Sequence, residues 1–258
     1  MKKGIKNIIY CACLVIRNFL NRIVNFQEIS VLCYHSISEE NWDLSISPTR
    51  FEEQMIFLKK RYKFVTLEDV VCFIKKEKDL PKKAVAITFD DGYSDLYFGA
   101  MPILKKYGIS ATIFIVNDKD ASIKNMGAKI NMLEEYQIKE MKRNNIDFQF
   151  HSKTHRLLDN LSSKEIEEEL DNKPNKFRYF AYPGGHYLVE AVDVLKKNNF
   201  EAGFTIRPGL IKEGTDIFLI NRNVILRDMS LWQFKIRVTK AIDWYFNLSR
   251  FLKNFISK

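Results

Sequence analysis

Short runs of β-branched and aromatic residues recur along this chain, and most are apolar at every position instead of at every second one. They fall at 31–35, 84–89, 111–116, 147–151, 177–182, 202–206 and 217–226, with segments of helical period between them. A strand that is apolar on both faces must be covered on both faces, the condition of a parallel sheet whose crossovers are helices. The segments between carry start and stop signals. Ser47 precedes Pro48 and a stripe of Phe51, Met55 and Leu58; Thr66 and Asp69 form a capping box for a helix through Ile74; Gly108 ends a helix over 101–107. Further helices are predicted over 133–143, 163–170 and 189–197, and 117–131 reads as a loop over the mouth of the fold. About seven βα units without a Gly-rich dinucleotide fingerprint predict an α/β barrel in place of an open nucleotide-binding sheet. With 258 residues, 46% of them hydrophobic, one sizeable core is available. Ten glycines and six prolines exclude a collagen-like or low-complexity chain.

The net charge of +9 suggests a nucleic-acid binder until its distribution is read. Residues 1–26 carry +5 and residues 229–258 carry +5, which leaves −1 for everything between. Both ends have helical period, through Ile5, Ile8, Ala12, Ile16, Phe19 and Ile23 and through Leu231, Phe234, Val238, Ala241, Tyr245, Leu248, Leu252 and Phe255. The chain thus divides into a basic amphipathic segment over 1–28, a central domain over 29–228 and a basic amphipathic helix over 229–258. Such helices either lie on an anionic bilayer surface, giving peripheral membrane contact, or pack on the body. No run of 18 apolar residues exists to span a membrane. The N-terminus has no small-x-small cleavage site, so an uncleaved anchor or surface-lying helix is expected instead of a removed leader. The four cysteines, Cys11, Cys13, Cys33 and Cys72, form no CxxC and are expected as free thiols. A near-neutral body with no reading motif argues against nucleic acid as a partner.

In a parallel βα barrel the C-terminal strand ends form the active face. The polar residues there are His35, the pair Asp90-Asp91, His151 with His155 four residues on, Tyr182-Pro183-Gly184-Gly185, and Arg222. Three of the four histidines fall in this set. Two imidazoles and a carboxylate suit a divalent ion with a position left for water. A helical turn over 151–155 lets both imidazoles converge, and a second carboxylate beside the ion is placed to take a proton. Each feature also has a plain reading, as a helix cap, a surface pair or a turn. Their occurrence together at successive strand ends favours chemistry.

Thr88-Phe89-Asp90-Asp91-Gly92-Tyr93, then His151 to Leu158, then Phe180-Ala181-Tyr182-Pro183-Gly184-Gly185 resemble the first three motifs of the polysaccharide deacetylases, the NodB-homology domain. Tyr34 to Ile37, Ser110 to Phe114 and Asn221 to Val224 look like the branch that de-N-acetylates poly-β-1,6-N-acetylglucosamine. The likeness spans about 29–227. It implies a distorted (β/α)7 barrel and a metal-dependent hydrolase acting on an N-acetylated glycan, with Zn2+, or else Co2+ or Ni2+, as cofactor. By motif position Asp90 is the base and Asp91, His151 and His155 are the metal ligands. Pro183, Gly184 and Tyr182 lie at the oxyanion and substrate site, where the backbone N–H after Pro183 is the donor. Likeness to that branch implies His35 as the acid for the leaving amine in place of a late Leu-x-His motif, and no histidine follows His186. Arg178 and Arg222 are candidates to orient Asp90. Gly184 stands where an aromatic residue is usual, and His186 matches no family role. An O-acetyl esterase, and a non-catalytic glycan-binding or membrane-associated barrel, are the alternative readings.

Overall fold

A computed structural model describes residues 3–20, 23–24, 26–127, 130–172 and 176–256; in the first and last helices the described side chains are those at 9, 11–20 and 241–248. In chain order the elements are α1 (Lys3–Leu20), β1 (Glu28–Tyr34), α2 (Pro48–Lys59), β2 (Lys63–Phe64), α3 (Leu67–Ile74), β3 (Lys83–Phe89), α4 (Met101–Tyr107), β4 (Ala111–Ile115), α5 (Lys119–Met126), α6 (Glu135–Arg143), β5 (Ile146–Phe150), α7 (Ser163–Glu169), β6 (Tyr179–Ala181), α8 (Val189–Lys197), β7 (Ala202–Phe204), β8 (Asn223–Val224), α9 (Leu231–Arg237) and α10 (Ala241–Ile256). The strands pair in parallel in the order β7-β6-β5-β4-β3-β1-β8, with β2 added beside β3.

The reason for runs without alternation is visible in the parity of each strand. Leu32 and Tyr34 of β1 and Val85, Ile87 and Phe89 of β3 enter one core with Phe51, Met55 and Leu58 of α2. Ile29 and Val31, with Ala84 and Ala86, enter another that also holds Phe114, Tyr179 and Phe204. The Phe114 and Phe204 rings, from strands that are not neighbours, stand 5.6 Å apart. Such contact requires the sheet to curl on itself, and the second core is the interior of the barrel. Helix starts follow the expected caps: Ser47 Oγ accepts from the Arg50 amide, and Thr66 and Asp69 complete a reciprocal box.

Three segments depart from the expectations. Residues 217–226 are not one strand. Ile220 bridges Phe204 of β7, and only Asn223–Val224 pairs with Leu32–Cys33 of β1. The segment changes partner midway, closing the ring between its two edges, so neither ladder grows long. The stretch 117–131 contains α5, capped by Asp118 through the Ala121 amide and ended by Gly127. The C-terminal stripe is broken into α9 and α10, because the Lys240 amide leaves the helical ladder to donate to Glu28.

The terminal helices pack against each other and against the start of β1. Cys13 shares a core with Ile236, Ile242 and Tyr245. Arg17 reaches back to pair with the carboxylate of Glu28, the first residue of β1, and both groups are buried. The C-terminal stripe is mostly covered, with Phe234, Val238, Ala241 and Tyr245 buried. The N-terminal stripe is not: Ile16, Phe19 (61% exposed) and Ile23 (75%) face outward, and the packed side of α1 is instead Ile9, Cys13, Leu14 and Arg17. Ile5, Ile8, Leu252 and Phe255 lie outside the described side chains. No helix among the described residues is long and apolar enough to cross a membrane.

Candidate active site

Asp90 continues the β1–β3 ladder, its amide donating to Tyr34 O at 2.9 Å. In an extended strand the next side chain would point to the opposite face. Asp91 avoids this by adopting φ +71°, a left-handed conformation that Asp tolerates better than most residues. Gly92 follows at φ +79°, and a Cβ there would press on Ile115 Cγ2 at 2.8 Å. Two adjacent carboxylates are thereby turned into one end of the barrel.

Asp90 is held from below. Arg222 Nη1 donates to its Oδ1 at 2.6 Å and Nη2 to its Oδ2 at 2.7 Å, a bidentate pair in which Arg222 is 0% and Asp90 1% exposed. Arg222 is in turn fixed by Thr205 O and Thr88 Oγ1, with its guanidinium over the Phe114 ring. The Cys33 thiol, pushed well up by burial and so protonated, donates to Asp90 Oδ2 at 3.4 Å. Burial by itself would raise the Asp90 carboxyl, but the Arg222 guanidinium, helped by His151 and His35, holds it below its usual value.

Asp91 faces the two imidazoles. His151 follows β5, its amide donating to Ile115 O, and its Nδ1 lies 2.8 Å from Ala181 O. A carbonyl only accepts, so Nδ1 carries a hydrogen and Nε2 is the ring nitrogen turned towards Asp91. Asp91 Oδ1 stands 3.3 Å from His151 Nε2 and 3.2 Å from His155 Nε2. The second imidazole does not arrive by a helical turn, since 151–157 is irregular. Ser152 (φ +69°) and His155 (φ +58°) reverse the backbone twice, and the His155 amide donates to Ser152 Oγ. Helix α5 braces this loop: Asn125 Nδ2 donates to Thr154 O, and the Asp118 amide to Lys153 O. Burial would raise Asp91 too, yet the two histidines hold it well below the usual carboxylate range.

The ligand atoms of Asp91, His151 and His155 lie within 4.8 Å of one another, and Asp91 Oδ1 is buried without a hydrogen-bond partner. Its separations from the imidazole nitrogens match the ~3.3 Å ligand–ligand edge of a tetrahedron with ~2.0 Å metal bonds. The carbonyl on His151 Nδ1 is the usual outer partner of a metal-binding histidine. These residues fit a divalent ion.

His35, one residue past β1, completes the end of the barrel. One of its ring nitrogens, Cys33 Sγ and an Asp90 oxygen lie within 4.8 Å of one another, and His35 Nδ1 is buried without a partner. Burial pushes the imidazole below its ordinary value, against the pull of Asp91 and Asp90. Pro183 is buried beneath the turn Pro183–Gly185, with Gly184 at φ +60°.

Two expected contributors are elsewhere. Arg178 enters β6 at the opposite end from Pro183 and pairs with Glu201 and Glu68 on the surface; three residues of strand separate it from the mouth. Tyr182 has the parity of Phe180, so its ring packs in the core under α8 and its hydroxyl donates to Phe218 O. Only its backbone serves the turn. Conversely, Cys33 and Thr88 went unnoticed as apolar-run residues, although Cys33 is two before His35 and therefore shares its face.

The profile of the polysaccharide deacetylase family, described as "Polysaccharide deacetylase", matches residues 77–203. A poly-beta-1,6-N-acetyl-D-glucosamine N-deacetylase of Staphylococcus aureus (strain MSSA476) is 31% identical over 232 residues, 82% of this chain and 75% of that protein. The Streptococcus pyogenes deacetylase PplD, solved in complex with acetate, superposes with a TM-score of 0.71 at 28% identity, over 82% of this chain and 98% of that one. IcaB from Ammonifex degensii gives 0.68 at 26%, over 82% and 97%. The barrel is the distorted (β/α)7 fold of these enzymes. Its paired carboxylates, its two facing imidazoles and its proline turn all lie inside the matched stretch, and the chain belongs to the polysaccharide deacetylase family of hydrolases.

Proposed function

We propose that this chain removes N-acetyl groups from an N-acetylated sugar polymer, with Asp90 as proton acceptor and Asp91, His151 and His155 as the holders of a divalent ion, Zn2+ or else Co2+ or Ni2+. The observation that carries this reading is the division of labour between adjacent carboxylates: Asp90 is saturated by Arg222, whereas Asp91 Oδ1 is left facing two imidazole nitrogens. The name of the staphylococcal relative supports the amide as the bond attacked.

When bound, a divalent ion supplies polarisation of the acetamide carbonyl and acidification of water. The residues of the chain do the rest. Asp90, kept ionised by Arg222, accepts a proton from the attacking water. The Gly184 amide, presented by the turn after Pro183, donates to the oxygen that becomes negative. His35, once protonated, delivers that proton to the sugar nitrogen as its bond to the acetyl carbon breaks, and the proton taken from water by Asp90 makes good the one His35 gives up, so that acetate and a free amine leave. Acetate release from N-acetylglucosamine oligomers by the metal-loaded chain, with amine quantified alongside, tests the reading. Release of acetate only from O-acetylated sugar, with hydroxyl appearing in place of amine, overturns it in favour of the esterase.

A second reading concerns α1. Its exposed apolar face of Val15, Ile16 and Phe19, followed by exposed Ile23 in the turn after the helix, lies within a segment of charge +5, and the C-terminal segment also carries +5. What supports contact with an anionic lipid surface is that the covered side of α1 is tied down by Arg17 and Glu28, leaving the apolar face outward.

A further inference from the structure

The turn after β6 carries a group for which the proposed reaction has no use. His186 ends the turn Pro183–Gly185 with its side chain 52% exposed, and its Nδ1 lies 2.7 Å from Asp159 Oδ2. Asp159 belongs to the short turn Leu158–Asn160 that follows the His155 loop. The pair therefore ties the proline turn to the loop that supplies a ligand histidine. A carboxylate accepts, so Nδ1 carries a hydrogen, and Nε2 is the ring nitrogen left to meet another partner.

The position of the ring follows from Gly184. A Cβ built on that residue would stand 2.9 Å from Leu157 Cδ2, 3.2 Å from His186 Cδ2 and 4.0 Å from His186 Nε2. With φ at +60°, the backbone there also disfavours any side chain. The space that a Gly184 side chain would take is thus occupied by the His186 imidazole and by Leu157. An exposed polar ring, locked by a carboxylate and set against the residue whose amide is assigned to the oxyanion, is placed to meet the sugar that carries the acetamide.

We propose that His186, oriented by Asp159, is a sugar-binding residue whose Nε2 accepts a hydrogen bond from a glycan hydroxyl near the reacting acetamide. The proposal rests on the reading of the chain as a glycan N-deacetylase. Its prediction is a split between the kinetic constants. A hydrogen bond formed equally in the bound and reacting states shifts KM and leaves kcat.

The test uses the metal-loaded full chain and N-acetylglucosamine oligomers, with acetate release as readout. His186→Ala raises KM about three- to tenfold, the loss expected for one neutral hydrogen bond, with kcat within about twofold. Asp159→Ala moves KM in the same direction by freeing the ring. His186→Gln, which keeps an acceptor and can still donate to Asp159, restores at least half of the loss. Independently of turnover, the His186 ring proton resonances of the metal-free chain shift on addition of the oligomer. A KM for His186→Ala equal to wild type, an unshifted His186 resonance with bound oligomer, or a fall in kcat and melting temperature without a KM effect overturns the proposal. Should wild type release acetate from no N-acetylated sugar, the underlying reading and this proposal fall together; an active wild type with an indifferent His186→Ala removes this proposal alone.

Discussion

Replacing Arg222 with Met strips the guanidinium that pairs directly with Asp90 while filling most of the same volume. Both groups are fully enclosed, and the two charge-assisted bonds are 2.6 and 2.7 Å long. Removing one partner of a buried pair leaves the other charge uncompensated and costs about 3–5 kcal/mol. For a chain of this size, at about 2–4 °C per kcal/mol, the melting temperature should fall by about 6–20 °C. The catalytic effect has the same origin. In wild type the Asp90 carboxyl is held below its usual value, so its stabilising contribution is present above the unfolded carboxylate pKa of about 3.9 and is lost as pH falls through the folded value. Without Arg222, burial raises that carboxyl. The group then penalises the folded state at neutral pH, and the deficit of the variant narrows as the pH is lowered towards 4. A carboxyl that is already protonated accepts nothing from water, so kcat should drop by about 10²- to 10⁴-fold. Thermal melts at pH 4 to 8, with acetate release at pH 7, read both effects. The double variant Asp90→Asn/Arg222→Met removes the buried charge altogether and should regain most of the lost stability while remaining inactive. An Arg222→Met protein with wild-type melting temperature and turnover, or a double variant no more stable than the single one, refutes the argument.

Equilibrium dialysis against Zn2+ separates the two carboxylate roles: Asp90→Asn should keep its metal, whereas His151→Ala loses at least tenfold in affinity, and equal metal content in both would contradict the assignment. Phe19→Asp should abolish cosedimentation with phosphatidylglycerol vesicles and leave acetate release from soluble oligomers intact; undiminished pelleting would sink the lipid-surface reading. Deleting residues 1–26 is the poorer experiment, because it also takes Arg17 from buried Glu28 and uncovers the core around Ile242. Gly92→Ala should destabilise the fold by about 1–3 kcal/mol in a denaturant titration, since the new methyl meets Ile115 at 2.8 Å on a backbone held at φ +79°; an unchanged midpoint would show that the turn relaxes freely.

Much of the barrel could be read from the chain because runs such as 84–89 and 111–116 are apolar for a reason that acts locally, burial on both faces. The carboxylates and histidines were legible for a related reason, being the polar residues at which such runs stop. What escaped depends on backbone handedness and on partners far along the chain. Nothing in the residue types announces that Asp91, Ser152 and His155 turn left-handed, though that conformation is what aims Asp91 and His155. The two candidate arginines could not be told apart without topology: Arg178 stands where a strand enters the barrel and Arg222 beside the end where the neighbouring strands leave it. Tyr182 was misjudged because motif position ignored strand parity, and parity sends its ring into the core with Phe180. The helix within 117–131 did have a signal, in Asp118 and Gly127, that its mixed polarity concealed.

The anchoring of α1 at Glu28 has a geometric corollary. Glu28 opens β1 and His35 follows its last residue, so seven residues of strand, about 20 Å, lie between the ends of the molecule. Under the proposed lipid contact, a surface gripped by Ile16 and Phe19 would be met on the helix tied to the Glu28 end of β1, the end opposite His35. Held this way, the protein would have a built-in stand-off, set by the length of β1, that favours strands of glycan passing above the lipid over sugars lying flat on it.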